Sequence, residues 1–215
     1  MRVGFLAIAL GCVGCLSLPE RPGPEDGCRD GQEIHSTFVM SPTLDDICLP
    51  WGNGYGNTTA SDEGSRLRLI PRDDMSNSGG CRAMGASNFD DRGVFIEVPT
   101  IEPAASGKTA MLLDDGSVLI IARIGKLFFL SESGGDIYAE TSYDPVAMRW
   151  WRMRPDRDAN VAVADYSPNG FDWTELGRSD DPPPQTYDLK LEVGVDDVEP
   201  TPGFGEFDNL NTCVF

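Results

Sequence analysis

Short segments of alternating apolar and polar residues, each ended by a turn sequence, make up most of the chain. Alternation with a period of two is typical of a β-strand that buries one face. Turns are strongly indicated at Asp114-Asp115-Gly116 and at Ser167-Pro168-Asn169-Gly170. We count about ten to twelve such strands, the clearest being residues 66–70, 94–98, 117–124, 148–154, 161–166, 189–193 and 204–210.

The order of these segments predicts the fold class. No helical pattern separates the strands, and 24 glycines and 16 prolines in 215 residues supply many turns. An evenly spaced series of strands without a βαβ rhythm is typical of a sandwich or jelly roll. We therefore predict one all-β domain over residues 35–215, folded as an antiparallel two-sheet jelly-roll sandwich.

The N-terminus has the features of an export signal. Arg2 precedes an apolar stretch from Val3 to Leu18, which Pro19 and Glu20 end. This pattern predicts a signal peptide over residues 1–18, and the stretch is too short and too rich in glycine for a transmembrane span. Residues 19–34 are polar and rich in proline and glycine, as in a tether. We expect an exported protein, either in the cell envelope or extracellular.

Cys15 raises the alternative of a lipid anchor. Gly14-Cys15 at the end of an apolar run resembles a bacterial lipoprotein signal, which is cleaved before the cysteine that becomes lipidated. The sequence departs from that pattern at Cys12, where leucine is usual. Lipidation of Cys15 and plain secretion therefore stay as two alternatives, and any membrane association would come through this anchor.

Four cysteines follow the signal, and an even number in an exported chain predicts two disulfides. They allow three pairings, of which we prefer Cys48–Cys81 and Cys28–Cys213, because the second would tie the tether to the last strand. No Cys/His spacing indicates zinc.

The charge of the chain excludes some partners. With 17 Lys and Arg against 35 Asp and Glu, the formal net charge is -18, which argues against nucleic acid and anionic lipid surfaces. Calcium is the cation that such carboxylates could hold, with Asp114-Asp115, Asp180-Asp181 and Asp196-Asp197 as candidates. None of these pairs has the spacing of a known calcium loop, so we expect no cofactor.

Residues 143–176 carry a resemblance to a known family. The run from Tyr143-Asp144-Pro145 through MRWWRMR (148–154) to the Ser167–Gly170 turn and Trp173 resembles a late hairpin of concanavalin-like lectin/glucanase sandwiches, above all non-catalytic members in bacterial surface proteins. Phe95–Pro99 and Gly205–Asn211 fit the same domains. The resemblance covers residues 38–215 and implies the fold more specifically than a function.

Strand geometry assigns the residues of this stretch to two faces. A period of two puts Trp151 and Met153 on one face, predicted to be the core, and Trp150, Arg152 and Arg154 on the other. Core packing is the ordinary role of such tryptophans. The functional interpretation is that Trp150 forms a stacking platform for a sugar ring beside Arg152 and Arg154.

Catalysis has little support in the sequence. Glycosidases of this fold use carboxylates at i and i+2 of one strand; Glu206 and Asp208 have this spacing, but a third acid is lacking. His35 is the only histidine, and no nucleophile motif accompanies it. We therefore expect no enzymatic activity.

Three hypotheses remain. The first is a non-catalytic, exported or surface-anchored sandwich that binds glycan or serves as an adhesion or envelope module. The second is a diverged glycoside hydrolase, and the third is a structural envelope lipoprotein without a small-molecule ligand. An exposed aromatic side chain in a concave groove would favour glycan binding, and two carboxylates facing each other in that groove would favour the hydrolase. A concave face that is flat or filled by side chains would favour the structural lipoprotein.

The export signal is tested by the mass of the mature N-terminus. We expect the native chain to have lost its apolar stretch, and mass spectrometry then distinguishes a diacylglyceryl group on Cys15 from an unmodified N-terminus. Recovery of an intact chain that starts at Met1 would contradict export.

Overall fold

The computed structural model describes Cys48 and residues 52–62, 66–83, 87–88, 92–103, 106–114, 118–131, 135–183 and 186–214. These residues form sixteen strands: Gly52–Gly56 (β1), Thr58–Asp62 (β2), Leu67–Pro71 (β3), Asn77–Ala83 (β4), Ser87–Asn88 (β5), Arg92–Glu97 (β6), Ile101–Pro103 (β7), Gly107–Asp114 (β8), Val118–Arg123 (β9), Lys126–Ser131 (β10), Ile137–Ser142 (β11), Trp150–Asp156 (β12), Val161–Ser167 (β13), Thr174–Arg178 (β14), Thr186–Val195 (β15) and Gly203–Val214 (β16). The predicted signal peptide, the tether, Cys15 and His35 lie outside the described residues.

The strands form two antiparallel sheets. The first sheet has the order β1-β4-β15-β8-β9-β10-β11, with β5 also paired to β15. The second has the order β14-β13-β12-β6-β16-β3-β2, with β7 also paired to β16. The predicted all-β two-sheet sandwich is therefore confirmed, with more strands than the ten to twelve that the alternation indicated. The predicted hairpin at Asp114 joins β8 to β9.

Alternation along the strands produces the core between the sheets. In β12, Trp151 and Met153 are completely buried, as predicted. The indole nitrogen of Trp151 donates a hydrogen bond to the carbonyl of Met148 at 2.9 Å, and its ring meets Tyr143 edge-on at 6.4 Å. This bond satisfies the one polar atom that a buried tryptophan brings into an apolar core.

The glycine-rich composition from Gly52 to Asn57 predicts a flexible surface loop, and this prediction is wrong, because residues 52–56 form β1 and pair with β4 over their full length. An added Cβ on Gly56 would lie 2.2 Å from the carbonyl oxygen of Ser78 in β4. Glycine is therefore required by close approach of backbones, a packing feature that β-propensity does not register.

The described disulfide joins Cys48 to Cys81 of β4. Both residues are completely buried, with Cα atoms 5.5 Å apart, so this part of the predicted pairing is confirmed. Cys28 and the side chain of Cys213 lie outside the described residues, and that pair stays a prediction.

The outer face of the first sheet carries a second apolar cluster. Ala110 and Leu112 of β8 and Leu119 and Ile121 of β9 are buried there, and Phe128 and Leu130 of β10 pack against them. Within the described ranges, no helix is long and apolar enough to cross a membrane.

The two-residue turn between β9 and β10 gives a stability prediction. Ile124 has a φ of 51° and Gly125 a φ of 69°, the arrangement of a type I′ turn that favours Asn-Gly. Ile124 is also 65% exposed, so replacing it loses little packing. We expect Ile124→Asn to raise the free energy of unfolding by about 1 kcal/mol, because asparagine tolerates this backbone conformation and a β-branched residue does not.

Ile137→Asn is the matched control for that measurement. Ile137 is an exposed isoleucine in β11, so its replacement removes a similar surface without relieving a left-handed backbone. Urea denaturation should show stabilisation for the Ile124 variant alone; equal effects of both variants would contradict the argument.

Candidate functional site

The candidate site lies on the outer face of the second sheet, which is the face turned away from the core. Residues that alternate with the buried ones point there: Phe95 and Glu97 from β6, Trp150, Arg152 and Arg154 from β12, Asp165 from β13, and Glu206 and Asp208 from β16. The registers place these residues side by side, since Trp150 is opposite Glu97, Arg152 opposite both Phe95 and Asp165, and Glu97 opposite Asp208. We call this set the outer polar face.

An aromatic cluster occupies one end of the outer polar face. The ring of Phe95 lies 6.1 Å from the ring of Trp150 and 6.1 Å from the ring of Trp173, which it meets edge-on. Phe95 is buried, whereas both tryptophans are partly exposed. The tilted and edge-on arrangements are the favourable ones for aromatic pairs. The cluster thus presents two indoles over a buried phenyl ring.

The turn that follows β13 folds back over this cluster. Gly170 has a φ of 81°, and a Cβ placed on it would lie 3.1 Å from the indole of Trp150. The Oγ of Ser167 accepts hydrogen bonds from the backbone amides of Asn169 and Gly170, and the side-chain oxygen of Asn169 accepts from those of Phe171 and Asp172. Local side-chain bonds of this kind fix the turn.

Two arginines of β12 share one carboxylate. The Nε atoms of Arg152 and Arg154 each donate to Oδ2 of Asp165 at 2.9 Å. The Asp165 side chain is only 2% exposed, and the guanidinium of Arg152 also lies 4.1 Å from the centre of the Trp173 ring. Burial lowers the pKa of Arg152, and the neighbouring Asp165 opposes that shift. Asp165 thus joins the charged and aromatic parts of the face.

A bulge in β16 completes the middle of the outer polar face. The register between β16 and β6 shifts between Asp208 and Asn211, and Asn209 there has a φ of 46°. Its side-chain amide donates to Glu97, whose other oxygen accepts from Nε of Arg149 at 2.6 Å. Bulges and left-handed residues in a sheet often re-aim a side chain at a functional site.

Glu206 and Asp208 belong to the same row. Arg68 donates to Glu206 at 2.6 Å, and Arg66 lies 3.6 Å from Glu206 and 4.0 Å from Asp208. The third acid missing from the sequence around β16 is present in space, since Glu97 is the cross-strand neighbour of Asp208. Each of these carboxylates has a guanidinium partner.

The structure places the predicted ligand-binding residues Trp150, Arg152 and Arg154 together on one face. Sequence reasoning did not find Asp165, Glu97 and Asn209, which join them there. The signal for Asp165 was its position among alanines and valines in a strand otherwise made for burial. Glu97 and Asn209 gave no comparable signal, because cross-strand register and a bulge bring them together.

Metal ligation has no geometric support in the part of the chain that the structure describes. No three His, Cys, Asp or Glu side chains there form a group that could hold an ion. This includes Asp180-Asp181 and Asp196-Asp197, whereas Asp115 lies outside the described residues.

Solved structures share the fold at low sequence identity. The carbohydrate binding module CBM66 from Bacillus subtilis has a TM-score of 0.51 and 12% identity, with 76% of this chain and 97% of that chain covered. The Ca2+-bound exoplasmic/lumenal domain of VIP36 has a TM-score of 0.56 and 11% identity, with 85% and 89% covered. The GH43 protein BlXynB from Bacillus licheniformis has a TM-score of 0.55 and 12% identity, with 86% of this chain but 40% of that chain covered.

These similarities define the class of fold. The protein has the fold of the concanavalin-like lectin/glucanase sandwiches, as the resemblance of its sequence implied. No protein-family model matches the chain, and no curated protein matches it significantly. Calcium is bound in the VIP36 structure, whereas the described residues of this chain form no metal-binding group.

The shared carboxylate gives a prediction for stability. We expect Asp165→Ala to lower the free energy of unfolding by about 3 kcal/mol, because it leaves two partly buried guanidiniums without their common partner. Equilibrium urea denaturation measures the change.

Glu140→Ala is the comparison for this variant. It also removes a carboxylate from a cation, Lys126, but that pair is exposed, so the expected loss is below about 1 kcal/mol. A loss for Asp165→Ala as small as that of the control would show that Asp165 does not hold the two arginines in place.

Proposed function

We propose that this chain is a non-catalytic, exported carbohydrate-binding module, and that the outer polar face is its binding surface. The aromatic cluster of Phe95, Trp150 and Trp173 beside the arginines of β12 is the observation that carries the proposal. Two of the structurally similar proteins support the proposal. CBM66 is a carbohydrate binding module, and the VIP36 domain has been solved in a form bound to Ca2+ and Man2.

The chemistry of the face fits a sugar. A pyranose or furanose ring has an apolar side, which stacks on an indole, and a rim of hydroxyl groups, which donate and accept hydrogen bonds. Trp150 and Trp173 offer partly exposed rings. Arginine and asparagine donors and carboxylate acceptors lie next to these rings, at positions fixed by strands rather than by free loops. Such preorganisation reduces the cost of ordering side chains on binding.

Export and anchoring complete the proposal. A binding module outside the cell requires a signal such as residues 1–18, and a lipid on Cys15 would retain it in the cell envelope as an adhesion or envelope module. The buried disulfide between Cys48 and Cys81 fits an oxidising compartment.

A diverged glycoside hydrolase is the second candidate, and the neighbouring positions of Glu97 and Asp208 favour it. Retaining glycosidases need two carboxyl groups about 5–5.5 Å apart, one of which donates a proton. Here Glu97 and Glu206 are paired with arginines at 2.6 Å, so both carboxylates are already engaged as hydrogen-bond acceptors within the protein. We therefore prefer binding without catalysis.

A glycan array with the purified mature domain tests the proposal. We expect binding to at least one glycan, and Trp150→Ala should weaken it by about 1–3 kcal/mol, or roughly fivefold to 150-fold, because an aromatic contact with the ring is lost. To test the hydrolase alternative, the glycans that bind on the array are incubated with the protein and analysed for released sugar.

Phe128→Ala is the matched control, since Phe128 is a partly exposed aromatic on the outer face of the other sheet. It should leave glycan binding unchanged. Equal loss in both variants would point to general destabilisation, and absence of any glycan hit would favour the structural envelope lipoprotein.

A further inference from the structure

Six arginines on or beside the outer polar face each have a carboxylate partner. They are Arg66, Arg68, Arg149, Arg152, Arg154 and Arg178, and each has a carboxylate oxygen within 4.0 Å. Their partners are six carboxylates: Glu97, Asp156, Asp165, Glu175, Glu206 and Asp208. This surface is therefore rich in arginine, but its guanidiniums are already engaged by carboxylates of the protein.

We propose that the outer polar face selects neutral glycans and rejects acidic ones such as uronic acid polymers. This inference rests on the proposed function and names the ligand class of the same surface. Its physical basis is that each of these guanidiniums already lies within 4.0 Å of a carboxylate of the protein, with Asp165 shared by Arg152 and Arg154. A ligand carboxylate would therefore have to compete with a protein carboxylate at every one of these cations.

Glu97 shows how this exclusion works at one position. One of its oxygens accepts from Arg149 and the other from Asn209, and the side chain of Arg149 is 39% exposed. A ligand carboxylate that approached Arg149 would therefore meet Glu97 as well, and like charges brought together at an interface are strongly unfavourable. A sugar hydroxyl meets no such penalty, because it can donate to the carboxylate or accept from the guanidinium.

The net charge of the chain acts in the same direction. At -18 the protein repels polyanions at long range, an effect that salt screens. The local effect of paired arginines is screened much less by salt, because the groups of these pairs are in contact and partly buried. The two contributions are therefore separable by experiment.

The test uses one glycan in two charge states. A neutral glycan that binds on the array is carboxymethylated, and the free acid is compared with its methyl ester, so that bulk is matched and charge differs. We expect the wild-type domain to bind the ester about tenfold or more tightly than the acid, and to keep a clear preference at about 1 M salt.

Glu97→Gln then changes the local balance with little change in shape. Glutamine retains an oxygen that can accept a hydrogen bond from Arg149 or Asn209, but it carries no charge. The positive charge of Arg149 therefore loses the carboxylate of Glu97 that compensates it in the wild-type domain. We expect the preference for the ester to fall by about threefold to tenfold. Glu140→Gln changes the net charge equally on the first sheet, within the exposed Lys126 pair, and should leave the preference unchanged. Thermal unfolding of each variant confirms that it is folded.

The outcomes separate this inference from the proposed function. Equal or tighter binding of the free acid by the wild-type domain would overturn neutral selectivity while glycan binding stands. Binding of neither the parent glycan nor any other would overturn the proposed function itself. An unchanged preference in a folded Glu97→Gln variant, or the same change in Glu140→Gln, would overturn the assignment of selectivity to the pair of Glu97 and Arg149.

Discussion

The two-sided use of β12 is the constraint on which the rest of the structure depends. A strand presents successive side chains to opposite faces, so the same seven residues fill the core with Trp151 and Met153 and build the outer polar face with Trp150, Arg152 and Arg154. A register slip of one residue would put arginines in the core and an indole in water. Burial of Trp151 in the core therefore fixes the direction of the Trp150 side chain, so the packing of the core determines the geometry of the outer polar face.

Arginines on a half-buried sheet surface create a requirement for carboxylates. Removing a guanidinium from water is costly unless a charge and hydrogen bonds replace the solvent. Asp165 meets this need for Arg152 and Arg154, Glu97 for Arg149, and Glu206 for Arg66 and Arg68. The acids thus have a structural role first, and any recognition of a ligand by this face uses groups that the fold already holds in position.

Local sequence features were sufficient to predict most of the framework and part of the site. Alternation predicted the burial of Trp151 and Met153, and the turn residues predicted the hairpin after Asp114. Both features were predictable because each depends on residues that are only a few positions apart in the sequence. The opposite holds for β1, where close backbone approach between Gly56 and Ser78 of β4 explains why a glycine-rich stretch with low β-propensity forms a strand. Glu97 and Asn209 are 112 residues apart, and no local pattern records a contact that register and a bulge create.

The two outer faces of the sandwich differ in what they can recognise. On the first sheet, Ala110, Leu112, Leu119 and Ile121 form an aliphatic cluster. Beside it on β15 lie Lys190 and Glu192, and Glu192 accepts a hydrogen bond from the hydroxyl of Tyr55. On the second sheet, partly exposed indoles lie beside donors and acceptors held in fixed ion pairs. A hydroxylated ring needs both an apolar platform and directed polar groups. On the first sheet this combination is limited to Tyr55 with Glu192 and Lys190, whereas the second sheet has two indoles beside several arginines and carboxylates. The identity of the recognising face therefore follows from side-chain chemistry, whereas the fold by itself would allow either.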